Sequence, residues 1–196
     1  MNHDPELPCA LILAGGRATR MGGDDKGWQK LAGKPLIHHL LERITPQVSH
    51  VMISANRHLS HYQALAPTLP DPLPDYPGPL AGMLAGLQAV SDNWLLVVPC
   101  DTPYLPTDLV TRMLAARRSD TLVVVAHDGE RPHPVVALLH RSLRDSLAAF
   151  LQQGERKIGL WYARHPMVYA DFSDCPAAFD NLNTPDDLTR HATLPH

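Results

Sequence analysis

Cysteine is scarce in this sequence. Cys9, Cys100 and Cys175 form an odd set at wide spacing, without a C-x-x-C pair. That excludes a disulfide framework and the common zinc motifs, and it leaves free thiols in a reducing cytoplasm as the expectation. A surplus of positive charge is also missing. Seventeen Lys and Arg stand against twenty Asp and Glu, for a net charge of −3 with His neutral. Non-specific nucleic-acid binding needs a basic footprint, so no nucleic-acid partner is expected. A small anionic ligand needs only a local cluster of cations. No apolar run approaches the roughly 18 residues of a membrane span. The opening MNHDPELPC carries two acids and no apolar centre, unlike a secretory signal. A cytoplasmic chain with no membrane partner is therefore expected. Histidine is plentiful, at twelve residues, but no H-E-x-x-H motif accompanies it. His38 and His39 are adjacent and cannot share a helix face, so scattered surface or core histidines are favoured over a metal site.

What is present is a regular alternation of elements. Hydrophobic residues make up 44% and charged residues 19% of the 196 positions, which fits one globular domain over 1–196 with short flexible ends near 1–7 and 192–196. Strands are expected at 10–14, 48–55, 94–98, 121–126, 135–140 and 167–172. Helices are expected at 35–45, 60–66, 80–90, 108–118 (capped by Thr107), 142–153 and 185–191 (capped by Thr184). Residues 67–79, PTLPDPLPDYPGP, hold too many prolines for a helix or a central strand and read as an ordered loop. Gly82 and Gly86 lie one turn apart, suited to close helix–sheet packing or to the approach of a ligand. Continuous apolar strands between helices imply an α/β fold: a three-layer, doubly wound, mainly parallel sheet with helices on both faces. Ligands of such folds sit beyond the carboxyl ends of the strands. The loops after Ala14, Ala55, Val98 and Ala126 are therefore the ones that matter.

The first of these loops is LAGGRATRMGGDDK, residues 13–26. Its glycines let backbone N–H groups converge on anionic oxygen. Arg17, Arg20 and Lys26 add positive charge. Neither the Walker A pattern G-x-x-x-x-G-K-[ST] nor the dinucleotide fingerprint G-x-G-x-x-G is present, so this is a phosphate loop of another kind. Asp101 follows the buried strand WLLVVPC. An acid at that place can hold Mg²⁺, which uses one or two carboxylates plus substrate phosphates, or it can be a turn residue before Thr102-Pro103.

The pattern L-A-G-G-x-x-x-R-M-G-x-x-x-K resembles the signature of nucleotidyltransferases with a Rossmann-like fold. More closely, the chain resembles the molybdenum cofactor guanylyltransferases. LAGGRATRMGGDDKG, ANRH, DYPGPLAGM, PCDTPYLP, HDGERPHP and NTPDDL match that family's blocks in order over nearly the whole length. The resemblance implies Mg²⁺-dependent transfer of GMP from GTP to the terminal phosphate of molybdenum cofactor (molybdopterin), with release of pyrophosphate. It implies that Leu13, Ala14, Gly15 and Gly16 bind the nucleotide, that Lys26 contacts phosphates, that Asp71 contacts the nucleotide and that Asp101 holds the metal. Arg20 is a further candidate, for the departing pyrophosphate. The family pattern N-A-N-R reads Ser54-Ala55-Asn56-Arg57 here, so Ser54 stands where the family contacts the nucleotide with Asn. Arg131, in a turn with good hairpin chemistry at Asp128-Gly129, is a candidate pterin contact, as are Asn181 and Asn183 near the active site. Transient contact with proteins that deliver and receive the cofactor is implied as well. A cytidylyltransferase on the same cofactor, a sugar-phosphate nucleotidyltransferase and a non-catalytic nucleotide-binding module are the alternatives.

Overall fold

The computed structural model describes residues 7–15, 25–70, 72 and 78–182. The strands are β1 (Cys9–Leu13), β2 (Lys30–Leu31), β3 (Lys34–Pro35), β4 (Val51–Ser54), β5 (Thr68–Leu69), β6 (Trp94–Pro99), β7 (Val123–His127), β8 (Pro132–His140) and β9 (Met167–Asp171). The helices are α1 (Leu36–Ile44), α2 (Leu59–Gln63), α3 (Pro79–Ala89), α4 (Leu109–Ala115), α5 (Arg144–Gln152) and α6 (Ile158–Tyr162). Seven strands form one sheet in the order β5-β4-β1-β6-β8-β7-β9. β8 alone runs against its neighbours β6 and β7; the other pairs are parallel.

The period-two alternation of the strands explains the layering. On β1, Ala10 and Ile12 face one side, with Ile37, Leu40 and Ile44 of α1 and Leu109, Val110 and Met113 of α4. Cys9 and Leu11 face the other side, with α3 and with Leu147, Phe150 and Leu151 of α5. Both faces are thus covered, as a parallel sheet requires, and the expected three-layer α/β architecture is found. Helix α3 is buried from Leu80 through Leu87. A Cβ at Gly86 would lie 2.7 Å from Leu11 Cδ2 and 2.9 Å from Leu95 Cδ2, so this glycine serves close helix–sheet packing.

Several expectations need correction. Thr107 does not cap α4. The residue before that helix is Asp108, which makes no side-chain cap. Instead, Gln47 Oε1 accepts a bond from the Val110 N–H at 3.0 Å, while its amide donates to the carbonyls of Arg43 and Pro106. A distant amide does the work expected of a local hydroxyl. The proline-rich stretch is not all loop, because Thr68–Leu69 adds an edge strand parallel to β4. Helix α6 and the small β2–β3 hairpin were not foreseen; Ala32 and Gly33 both take positive φ between those strands, the conformation a tight hairpin turn demands. The helix expected at 185–191 and its cap Thr184 lie outside the described residues.

Candidate active site

The register of the sheet builds the floor of a cleft. Leu13 at the end of β1 pairs with Ser54 at the end of β4 on one side and with Pro99 at the end of β6 on the other. Two backbone bonds carry the ladders one residue further, Ala14 N to Ser54 O at 2.8 Å and Cys100 N to Leu13 O at 3.1 Å. Three loops therefore leave the sheet at one level. Above them lies a cleft of about 430 Å³, within the usual size of small-molecule sites. Leu13, Ala14, Gly15 and Ser54 line it, as do Lys26 and Asp101.

Helix α3 closes one wall through Gly78, Pro79 and Gly82. A Cβ on Gly82 would lie 2.7 Å from both Leu13 Cδ2 and Ser54 Oγ. Gly82 thus packs on the sheet, as one reading of the glycine pair expects, and it also lines the cleft. Ser54 is buried, at 1% exposure.

Opposite charges meet in the cleft. Lys26 Nζ lies 3.2 Å from Asp101 Oδ2, although 75 residues separate them. The Asp101 side chain is 10% exposed and that of Lys26 37%. Asp101 is held from two directions. Thr102 Oγ1 donates to Pro99 O at 3.1 Å and tightens its turn. The Leu182 N–H donates to the Asp101 carbonyl at 2.9 Å, which brings the Asn181-Leu182 segment to the same turn. Burial pushes the neighbouring Cys100 thiol well up, with the Asp101 and Asp25 carboxylates adding to the effect and Lys26 opposing it.

Sequence reasoning assigned no role to Asp25, which also lines the cleft. It caps the single 3-10 turn Lys26–Trp28, and its Oδ1 accepts from the Gly27 N–H at 3.2 Å. The signal was available: an acid directly precedes the motif lysine, in N-cap position.

Arg131 stands apart. It is 72% exposed on the β7–β8 turn, and only Val135 of that strand lines the cleft. The turn is built by Asp128, whose Oδ1 accepts the Glu130 and Arg131 N–H groups at 2.8 Å each. Its Oδ2 lies 2.6 Å from His133 Nε2. The Arg131 backbone bond, with the His133 contact and the Glu130 N–H behind it, holds the Asp128 carboxyl far below the usual range against the opposing effect of desolvation. The expected hairpin is therefore found. Gly16, Arg20, Asp71 and Asn183 lie outside the described residues.

Among the described residues, one trio of metal-capable side chains sits away from the cleft: Cys9, His50 and Asp92. Asp92 there already accepts the Ser49 hydroxyl at 2.6 Å, and burial with the nearby Asp92 pushes the Cys9 thiol up to about 12. No helix of the described residues is long and apolar enough to cross a membrane.

The MobA-like NTP transferase domain matches residues 10–167. The molybdenum cofactor guanylyltransferase of Vibrio atlanticus is 50% identical over 184 residues, covering 94% of this chain and 95% of the relative. That of a Shewanella species is 52% identical over 185 residues, covering 93% and 94%. Among solved structures, molybdopterin-guanine dinucleotide biosynthesis protein A from Archaeoglobus fulgidus superposes with a TM-score of 0.75 at 26% identity, over 93% of this chain and 95% of that one. A 4-diphosphocytidyl-2C-methyl-D-erythritol synthase from Anaerococcus prevotii superposes with a TM-score of 0.72 at 10% identity, over 95% of each chain, a likeness of fold alone. The chain belongs to the MobA-like NTP transferase family, among its molybdenum cofactor guanylyltransferases.

Proposed function

We propose that the cleft above Leu13, Ser54 and Pro99 is where this chain transfers GMP from GTP to the terminal phosphate of molybdenum cofactor. The observation that carries the assignment to this cleft is the convergence of Lys26 and Asp101 at 3.2 Å beyond the carboxyl ends of β1 and β6. One cation and one poorly exposed carboxylate at such a place suit a triphosphate with its metal. Guanine lies against Leu13, Ala14 and Gly15, beside Ser54. Lys26 donates to the phosphates, and Arg20 and Gly16 belong to the same phosphate loop. Asp71 contacts the nucleotide.

A phosphate oxygen of the cofactor forms a bond to the α-phosphorus of GTP. The bond from that phosphorus to the bridging oxygen breaks, and pyrophosphate leaves with the electron pair. A phosphate monoester is already ionised near neutral pH, so the reaction needs no general base. The protein's part is positioning and charge neutralisation. The residues fit Mg²⁺: the well-shielded Asp101 carboxylate faces the cleft, with Asp25 also in its lining, and phosphate oxygens would supply remaining ligands. Bound there, Mg²⁺ would neutralise charge on the α-phosphate and on the departing pyrophosphate. With the metal held by Asp101, Lys26 would be able to donate to phosphate instead. Asn181, tethered near Asp101 through Leu182, is a candidate contact for the pterin substrate, with Asn183 and Arg131. Hand-over of a labile cofactor also calls for transient contact with the proteins that deliver and receive it.

The test is transfer from each of four α-labelled nucleoside triphosphates to molybdenum cofactor with Mg²⁺. Incorporation from GTP alone is the expected result. Incorporation from CTP would move the specificity and point to Ser54. No incorporation from any of the four would refute the reading.

A further inference from the structure

Tyr62 is a fully buried tyrosine in α2, packed in the core behind β4. A buried tyrosine hydroxyl usually finds a partner, and a peptide carbonyl would suffice. This one donates to Asp25 Oδ1 at 2.5 Å. The acceptor is thus a cleft-lining carboxylate directly before Lys26. The same Oδ1 accepts the Gly27 N–H, so one oxygen ties the core hydroxyl to the turn that carries Lys26. Gly27 makes the approach possible. A Cβ there would lie 2.6 Å from the Tyr62 hydroxyl oxygen. The Trp28 ring, at the end of the turn, packs against the Tyr62 ring with centroids 5.4 Å apart. The turn is therefore gripped at both ends by one side chain. Burial pushes the Tyr62 hydroxyl far up, with the Asp25 bond adding, so it remains a donor at every working pH.

We infer that Tyr62 is a positioning residue for Lys26: its hydroxyl fixes Asp25, Asp25 fixes the turn, and the turn aims the Lys26 ammonium into the cleft. This rests on the proposed role of Lys26 at the phosphates. It gives α2, none of whose residues lines the cleft, a part in the reaction. It also gives Asp25 a structural role in the cleft wall, since its Oδ1 accepts from two donors.

The test is a double-mutant cycle between Tyr62→Phe and Lys26→Ala, read in kcat/KM for GTP and in GTP affinity by calorimetry. Tyr62→Phe keeps the ring and deletes only the bond. One bond to a charged group corresponds to about a tenfold loss in kcat/KM, with weaker GTP binding alongside. In the Lys26→Ala background the same change should cost less than about twofold, because the group it aims is gone. A merely structural hydroxyl would give the same loss in both backgrounds, and that additivity would overturn the inference, as would wild-type kinetics in Tyr62→Phe. Asp25 supplies an independent arm, whatever Tyr62→Phe does to folding. Asp25→Ala should match Tyr62→Phe, whereas the Asn of Asp25→Asn still offers an oxygen to both donors and should recover most of the lost turnover. Equal losses in the two Asp25 variants at unchanged melting temperature would mean that its charge, not its hold on the turn, matters. If wild-type protein binds GTP but transfers nothing, the proposed reaction fails, while the cycle in GTP affinity still decides the coupling.

Discussion

Lys26→Ala separates a phosphate-binding lysine from one that only neutralises Asp101. In the free protein, Lys26 Nζ lies 3.2 Å from Asp101 Oδ2, and its side chain is 37% exposed. Water at the exposed ammonium screens this pair, so releasing Lys26 from the shielded Asp101 when nucleotide arrives costs about 1 kcal/mol. A bond from ammonium to phosphate contributes about 1.5–3 kcal/mol. The difference leaves about 1–2 kcal/mol for GTP, which is roughly tenfold in Kd. The variant also leaves Asp101, at 10% exposure, without its cation beside a polyanion, which pushes the loss upward. Titration calorimetry with GTP and Mg²⁺ should therefore show Kd at least about tenfold weaker. The gap should narrow as salt rises, because the cleft is open enough for screening. Affinity within twofold of wild type would show that Lys26 does not touch phosphate.

Three other perturbations test separate steps. Asp101→Asn should weaken GTP binding modestly and collapse transfer at limiting Mg²⁺, since a metal acts most strongly on charge that develops in the transition state; turnover like wild type would remove Asp101 from the metal site. Gly86→Ala places a Cβ 2.7 Å from Leu11 Cδ2 and 2.9 Å from Leu95 Cδ2. Overpacking of about 1–3 kcal/mol there outweighs the roughly 1 kcal/mol that alanine adds to a helix, so the melting temperature should fall by a few degrees, and a rise would show that α3 has room to shift. Asp128 titrates below its ordinary value in the folded chain, chiefly through the Arg131 N–H. The stability it supplies is therefore fully present above the unfolded pKa near 3.9 and is lost as pH falls toward the folded value. Melting temperatures of wild type and Asp128→Asn should differ most above about pH 5 and converge on acidification; a constant difference down to pH 2 would contradict the assignment.

The frame of the fold was legible because it depends on pattern. The apolar runs around Ile12, Ile53 and Val97 alternate between two covered faces, and a continuous hydrophobic strand has few other places to go. The two ends of the segment after β1, Gly15 and Lys26, were singled out from glycine and cation content after a buried strand, and both line the cleft. The strand-end place of Asp101 left metal ligand and turn residue both open, and the structure puts the residue in the cleft lining. The features that escaped depend on partners far away in sequence. Nothing local predicts that Gln47 caps α4, 63 residues on. Nothing local predicts that Tyr62 reaches Asp25 across 37 residues. The short elements β2, β3, β5 and α6 escaped for a related reason. Each is too short for a period to show, and each exists because a neighbour offers it bonds or a surface.

The distribution of these partners follows the division of labour in the cleft. The floor is made by register: Leu13, Ser54 and Pro99 stand in one row because β4 and β6 pair with β1 so that these three residues lie side by side. Such a row is a shelf without a charged group. The charged groups stand on turns, which a sheet does not fix. Each is therefore tied by a bond from elsewhere in the chain. Asp101 is held by the Leu182 N–H, and the turn that carries Lys26 by Asp25, which accepts from the Gly27 N–H and from Tyr62. The tether on Lys26 comes from α2, which follows the strand ending in Ser54. The shelf and the cation are thereby set by neighbouring segments, and a shift of the edge formed by β4 and α2 would move both together. Substitutions at this edge should alter base selection and phosphate chemistry jointly, whereas substitutions on the β7–β8 turn, with Arg131 72% exposed and outside the cleft lining, should leave the nucleotide steps alone.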